Sequence, residues 1–201
     1  AGFADRPTGV VHPSMFGYTA DVARYPFDLQ KAKALLAEAG YPNGFKTKVV
    51  VLTYGPWQKT MELVKAQLAK VNIDMAIQML ERGAYVQARG QEATELVMFG
   101  VSLPPDPDLL LKDVFHSKNN PPGGLNCSRY GGVDELIEQG AREMDNVKRA
   151  QIYAQIQKKM AQDVPAVPLY HPKWTEIVSK KVKGYSVERL GGFWLYPVSL
   201  E

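Results

Sequence analysis

The sequence is poor in cysteine and has no long apolar run, and each shortage excludes a class of protein. Cys127 is the single cysteine among 201 residues, which excludes an intrachain disulfide framework and a cysteine-rich zinc site. The longest apolar stretches, such as 96–101, are far shorter than the roughly 18 residues needed to cross a bilayer. We therefore expect no transmembrane span.

The chain also lacks a large excess of either sign of charge. The chain has 24 Lys and Arg against 21 Asp and Glu, a net charge of +3, and no basic cluster beyond the adjacent Lys180 and Lys181. A nucleic-acid partner is therefore not expected, because it requires a concentrated basic surface. The composition, 45% hydrophobic and 22% charged, is typical of a globular protein with a sizeable core and excludes disorder.

Catalytic and metal-binding motifs are missing as well. The chain has no Gly-x-Ser-x-Gly elbow, no His-Glu-x-x-His, no phosphate-binding Gly-x-x-x-x-Gly-Lys loop and no Cys-x-x-Cys. The histidines His12, His116 and His171 carry no metal-ligand spacing. We predict no catalytic residue, no metal site and no cofactor, and keep a hydrolase-like enzyme domain as a minor alternative resting on His116 and Cys127.

The beginning of the chain has neither an initiating Met nor a charged-then-apolar signal segment, so we expect a mature piece or an excised domain. Residues 1–26 contain aromatic, proline and glycine residues without a helical period. We interpret them as a connecting segment laid over a surface. A helix is predicted next, with Asp28 as its N-cap, Gly40 at its end and Pro42 preventing its continuation.

The following 50 residues have the pattern strand, helix, strand. Residues 48–53 are rich in Val, residues 61–71 carry apolar side chains at helical spacing, and apolar residues alternate through 73–80. A helix crossing between two strands predicts a parallel pair. With a helix over 83–92 and a third strand over 96–100, the sequence predicts an α/β fold, mainly a parallel sheet with helices on both faces.

The second half of the chain is predicted to be mainly helical. Helices are expected over 108–116, 134–144 and 148–163, and a long loop over 118–132. Two short strands, at 166–171 and 175–179, are predicted to return the chain to the sheet. The aromatic tail at 193–196 is expected to pack on this domain or on a missing one.

Several motifs resemble one protein family. Residues 25–28 read Tyr-Pro-Phe-Asp, and residues 32–45 contain Ala-x-x-Leu-Leu followed by Ala-Gly-Tyr-Pro-Asn-Gly-Phe. This pattern is similar to the most recognisable segment of the extracytoplasmic solute-binding proteins of peptide, nickel and opine ABC importers, called family 5 or the oligopeptide-binding type. Further landmarks agree in order and spacing: Asp106-Pro107, Asn126, Tyr130, 134–137, Lys148-Arg149, 163–170 and 182–184.

The resemblance implies a type II-like lobe of a periplasmic binding protein. Residues 27–201 would form a single α/β lobe, the C-terminal lobe of a two-lobed protein whose N-terminal lobe is absent here. Such a protein would be a monomer in the periplasm or another extracytoplasmic space. It would capture a peptide-like or other small solute by hinge closure and deliver it to a membrane permease. The alternative is a non-peptide solute: an opine, a sugar or chelated nickel.

Ligands of open α/β sheets bind beyond the carboxyl ends of the strands. That rule selects Tyr54 and Trp57 after the first strand, and Ser102 and Leu103 after the third. The two aromatic residues would stack on a ligand. Alternatively, Trp57 covers the first turn of its own helix.

In peptide-binding relatives an aspartate shortly before the Asp-Pro landmark pairs with the α-amino group of the ligand. Alignment on Asp106-Pro107 places Leu103 there, which implies a ligand other than an ordinary free-amine peptide. Asp106 either replaces that anchor or caps the following helix.

The long loop contributes the last candidates. Asn126 and Tyr130 either contact ligand or hold the loop to the domain. Arg129 either binds a ligand carboxylate or is solvated.

Overall fold

The structure is a computed structural model that describes residues 2, 4–101, 106–173, 175–186 and 195–200. The chain divides into two compact units. The helical unit comprises Ala1–Arg24, Val101–Asn119 and Ser128–Glu201, and the sheet unit comprises Tyr25–Gly100 and Asn120–Cys127.

From residue 27 to residue 100 the helices and strands follow one another in the predicted order, whereas the short strand β1 in the N-terminal segment was not predicted. The helices and strands of the described residues are β1 (Ala4–Asp5), α1 (Leu29–Glu38), β2 (Lys46–Leu52), α2 (Gly55–Leu68), β3 (Asp74–Leu80), α3 (Arg82–Arg89), β4 (Leu96–Val97), α4 (Pro107–Phe115), α5 (Asp134–Arg142), α6 (Asn146–Asp163), β5 (His171–Pro172), β6 (Val182–Lys183) and β7 (Ser199–Leu200). Short 3-10 turns cover Ala69–Val71 and Ser117–Asn119.

A three-stranded parallel sheet in the order β3-β2-β4 is the centre of the sheet unit. Val49, Val50 and Val51 of the central strand are 3%, 1% and 0% exposed. Successive strand residues point to opposite faces, so both faces of β2 are covered, as in α/β proteins. The predicted mainly parallel α/β fold is confirmed. The third strand is shorter than predicted, although the amide of Met98 still donates to the carbonyl of Val50 at 2.9 Å.

Helix α1 has the predicted ends. The Asp28 carboxylate accepts a hydrogen bond from the amide of Lys31 at 2.9 Å, and Gly40 adopts a φ of +88° just beyond the helix. Gly44 adopts a φ of +75°, and a Cβ there would lie 1.9 Å from the carbonyl oxygen of Asn72. The connection into β2 therefore requires glycine at this position.

The helical unit is built around α4, α5 and α6, with α5 packing against both α4 and α6. Among the described residues of this unit, the buried hydrophobic side chains are Val11, Leu110, Leu111, Val114, Phe115, Val133, Ile137, Tyr153, Ile156 and Met160. Residues of the N-terminal segment lie against α6. The Gln157 amide nitrogen donates to the Gly17 carbonyl at 2.8 Å, and its oxygen accepts from the Thr19 amide at 3.1 Å.

The two strands predicted after α6 are wrong. Residues 166–170 and 175–179 form no strand, and β5 pairs antiparallel with β1, apart from the parallel sheet. Pro165 and Pro168 lack the amide hydrogen that a sheet ladder needs. Apolar composition alone suggested strands, whereas Val167 is 70% and Ile177 101% exposed.

The aromatic tail lies partly outside the described residues, which include neither Phe193 nor Trp194. Leu195 and Tyr196 are 62% and 92% exposed.

Helix α6 begins earlier than predicted because the Asp145 carboxylate accepts from the amides of Val147 and Lys148. Among the described helices, none combines the length and apolar character needed to span a bilayer.

Candidate functional site

The carboxyl ends of β2, β3 and β4 lie at one edge of the sheet because all three strands are parallel. Helices α2 and α3 begin at this edge, directly after β2 and β3. Pro56 in the first turn of α2 has a backbone angle already suited to a helix. The loops and helix N-termini here form the candidate site that the sheet topology selects.

Tyr54 and Trp57 are brought together at this edge. Their ring centroids lie 5.9 Å apart with the planes at 90°, an edge-to-face arrangement that aromatic pairs favour. Tyr54 is 54% exposed, and Trp57 is half-buried in the first turn of α2. Trp57 is thus a residue of the first turn of α2, and the exposed Tyr54 lies beside it.

Tyr85 of α3 belongs to the same cluster, and the sequence analysis did not identify it. Its ring centroid is 6.5 Å from that of Trp57, it is 5% exposed, and its hydroxyl donates to the Met98 carbonyl at 2.7 Å. Burial raises the pKa of the phenol to about 12, so the group remains a donor at neutral pH. The sequence did contain one signal for Tyr85: it is an aromatic residue in the first turn of a helix that begins at the same sheet edge. We call Tyr54, Trp57 and Tyr85 the aromatic cluster.

Gly100 lies directly against the aromatic cluster. A Cβ at this position would be 2.7 Å from Cζ2 of Trp57, a distance that requires the indole to move. The absence of a side chain at Gly100 therefore makes room for the indole. The adjacent Phe99 ring has the Arg89 guanidinium 5.4 Å from its centroid, a cation–π distance.

The loop after β4 carries two predicted site residues, Ser102 and Leu103, which lie outside the described residues. Asp106, in the helical unit, is the N-cap of α4 and accepts from the amide of Asp108 at 2.9 Å. Both of its carboxylate oxygens also accept from Arg149, each at 2.8 Å. The hydrogen bond from Arg149, followed by that from the Asp108 amide, lowers the pKa of Asp106, and its partial desolvation opposes the shift.

The remaining predicted site residues lie in the long loop. Asn126 is 0% exposed. The Tyr130 hydroxyl donates to Asp163 at 2.5 Å, and its pKa is raised by burial and by that carboxylate. Arg129 is exposed with a φ of +52°. Tyr130 thus contacts the last residue of α6, and Asn126 is enclosed by protein.

The histidines have local roles in the structure. His116 is 4% exposed, accepts the Lys118 amide on Nδ1 at 3.1 Å and has Nε2 3.4 Å from Glu138. The His12 and His171 rings meet edge to face at 4.7 Å. Among the described residues, no group of three or more His, Cys, Asp and Glu side chains has the arrangement of a metal site.

Comparison with known proteins assigns this architecture to a family. The sequence profile of the bacterial extracellular solute-binding proteins, family 5, matches residues 1–122. The glutathione-binding protein GsiB of Escherichia coli K12 is 34% identical over 206 aligned residues, which cover 98% of this chain and 38% of that protein. The chain thus spans well under half the length of the curated relatives that it matches.

Solved structures agree in fold. HbpA2 of Haemophilus parasuis has a TM-score of 0.85 and 29% identity, covering 100% of this chain and 41% of its own. The periplasmic binding protein DppA of Helicobacter pylori, solved with the peptide STSA, has a TM-score of 0.82 and 30% identity, covering 100% and 40%. The fold is that of type II periplasmic binding proteins, as the motif resemblance implied. The chain belongs to the bacterial extracellular solute-binding proteins of family 5.

Proposed function

We propose that this chain is part of the substrate-binding component of an ABC importer, which captures a small peptide extracytoplasmically and delivers it to a membrane permease. The observation that carries the proposal is 34% identity to a glutathione-binding protein along 98% of the chain. The relatives are solute-binding transport proteins, so we propose no catalytic role. Glutathione is the ligand to test first.

The aromatic cluster is the part of the binding surface that this chain would supply. Ligand sites combine aromatic walls with few polar groups, and the half-buried Trp57 beside the exposed Tyr54 at the carboxyl edge of the sheet has this character. Arg89, next to Phe99, adds a positive charge to the same unit. A peptide with an apolar or thiol side chain and a carboxylate suits these groups.

We propose that this chain lacks the amine anchor of ordinary peptides. Leu103 occupies its place, and both oxygens of Asp106 are already hydrogen-bonded to Arg149. Glutathione makes its first peptide bond through the γ-carboxyl group, so its α-amino group lies farther from that bond than in an ordinary peptide. A γ-linked peptide is therefore compatible with a leucine at position 103.

A second lobe would supply the rest of the site. The chain covers only 38% of GsiB, and the described residues between 164 and 200 include eight exposed large apolar side chains. These side chains are Val164, Val167, Leu169, Ile177, Val178, Leu195, Tyr196 and Leu200. We propose that the rest of the protein covers part of this surface and that a monomeric two-lobed protein closes on the ligand.

Binding is tested on the full-length protein that contains this chain. Glutathione and its α-linked isomer Glu-Cys-Gly are compared by thermal shift and calorimetry, with di- and tripeptides, an opine, a sugar and chelated nickel as further arms. A ligand at about 100 times its dissociation constant stabilises the protein by about 2.7 kcal/mol. We expect glutathione to raise the melting temperature and the isomer to bind more weakly.

The two ligands make the result decisive. Equal binding of glutathione and Glu-Cys-Gly would show that an acidic group elsewhere in the protein holds the amine, and that Leu103 does not select the ligand. Stabilisation by only the opine, sugar or nickel arm would replace the peptide proposal with a non-peptide importer. Turnover of glutathione would contradict the transport role.

The contribution of Trp57 is measured separately. Trp57→Ala is expected to weaken glutathione binding by about 1 kcal/mol or more, because interface aromatics carry a large share of binding energy. Leu63→Ala is the matched control, since Leu63 lies on the same helix and is 67% exposed. An unchanged affinity in the Trp57 variant would remove Trp57 from the site.

A further inference from the structure

We infer that Tyr85 is a positioning residue: it fixes the orientation of the Trp57 indole and thereby sets the affinity of the site for its peptide ligand. This inference rests on the proposed function. It goes beyond that function because Tyr85 itself is 5% exposed and would act through Trp57.

Tyr85 is fixed at both ends. Its backbone belongs to α3, in which all residues are described and Tyr85 is the single buried one. Its hydroxyl donates to the Met98 carbonyl at 2.7 Å, and the Met98 amide in turn donates to Val50 of the central strand at 2.9 Å. The ring therefore has little freedom to rotate or withdraw.

Two other neighbours of the Trp57 indole, Tyr54 and Gly100, constrain it less than Tyr85 does. Tyr54 is 54% exposed and touches the indole edge to face, while Gly100 offers only backbone. Tyr85 meets the indole with the ring planes at 62°. It is the member of the cluster that is both buried and hydrogen-bonded to the sheet edge.

By holding the Trp57 indole in place, Tyr85 would pre-organise the site for its ligand. An indole that is already held in its bound orientation loses less conformational freedom when a ligand packs on it. Removing the Tyr85 ring would leave a cavity beside the indole, which would then sample several orientations. Removing only the hydroxyl would keep the contact and release the tether to Met98.

The test combines a ligand-free signal with a binding measurement on the full-length protein. 5-Fluorotryptophan is incorporated and the fluorine resonance of Trp57 is assigned from its loss in Trp57→Phe. We expect Tyr85→Leu to shift or broaden this resonance and to weaken glutathione binding about fivefold or more, with Tyr85→Phe intermediate. Tyr41→Leu is the control: Tyr41 is 51% exposed and its ring pairs with Phe45.

The outcomes separate this inference from the proposed function. If the wild type binds glutathione and neither Tyr85 variant alters the Trp57 resonance, Tyr85 does not position Trp57 and the inference is overturned. It is also overturned if the resonance changes while affinity does not. If Tyr85→Leu fails to fold, Tyr85→Phe decides between these results. If the wild type itself does not bind glutathione, the proposed ligand is wrong and the inference fails with it.

Discussion

Arg149 and Asp106 form a bidentate ion pair in which Nη1 donates to Oδ2 and Nη2 to Oδ1, both at 2.8 Å. The pair joins the N-cap of α4 to the first half of α6. Arg149 also donates to the carbonyl of Gly140 at 3.1 Å and to the hydroxyl of Tyr153 at 2.8 Å. Its guanidinium lies 5.2 Å from the ring centroid of Phe16. One side chain thus joins four parts of the helical unit.

Replacing this guanidinium should destabilise the helical unit. Arg149→Lys keeps the charge but loses the planar fork of donors, and we expect a loss of about 1 to 3 kcal/mol of unfolding free energy. Chemical denaturation measures the change. The control is Arg142→Lys, in an exposed pair with Glu138, which should change stability by less than about 0.5 kcal/mol. Equal effects of the two variants would mean that the bidentate geometry contributes nothing.

A side chain at Gly100 should disturb the aromatic cluster. In Gly100→Ala the new Cβ would lie 2.7 Å from Cζ2 of Trp57, so the indole must move, and we expect weaker glutathione binding and an altered near-ultraviolet circular dichroism signal. Gly83→Ala is the control, because a Cβ there meets nothing within 4 Å in the first turn of α3. It should leave binding unchanged. Normal binding by the Gly100 variant would show that the indole position is not important to the ligand.

The sequence indicated those features whose causes are local. The Asp28 cap, the end of α1 at Gly40 and the parallel strand pair follow from short-range patterns, and each was found. The contacts of Arg149 with Asp106 and of Tyr85 with Trp57 join distant positions. Periodicity carries no information about such pairs.

The same reason explains the wrong strands after α6. Apolar content predicted them, but a strand exists only where a partner offers donors and acceptors. In the described structure the partner of β5 is the two-residue β1, which no local pattern connects to residue 171. The complete burial of Asn126, which was selected at a family landmark in the long loop, likewise depends on the whole fold. Its contact with a ligand stays a prediction.

Acid should destabilise the junction of β1 and β5 through His171. Burial, and then the charge of His12, lower the pKa of His171 below 6.5, while Asp5, paired with Lys173, opposes the shift. Since the folded-state pKa is the lower one, protons bind more readily to the unfolded state. The contribution of His171 to the free energy of unfolding should therefore be fully present above about pH 6.5. It should decline as the pH falls from 6.5 towards the folded-state pKa.

Melting temperatures between pH 7.5 and 5 measure this contribution of His171, whose Nε2 is buried and has no hydrogen-bond partner among the described residues. His171→Gln should flatten the acid side of the profile, because its side chain does not titrate. His116→Gln is the comparison variant, because His116 belongs to the same unit but makes different hydrogen bonds. A decline of the same size in wild type and His171→Gln would assign the acid sensitivity to other groups.

The two glycines of the family motif, Gly40 and Gly44, should differ in their tolerance of a side chain. Gly40 and Gly44 have φ values of +88° and +75°, but a Cβ at Gly40 would meet nothing within 4 Å, whereas one at Gly44 would lie 1.9 Å from the Asn72 carbonyl oxygen. Gly40→Ala should cost only the backbone strain of about 1 to 2 kcal/mol. In Gly44→Ala the new Cβ would also clash with Asn72, next to β3, so these two segments must move apart. The free energy of unfolding should therefore fall by clearly more than in Gly40→Ala. Denaturant unfolding of both variants measures the difference, which isolates the clash because the strain is common to both. Equal losses would show that the chain around Asn72 yields without cost, and that the motif glycine at position 44 serves backbone conformation alone.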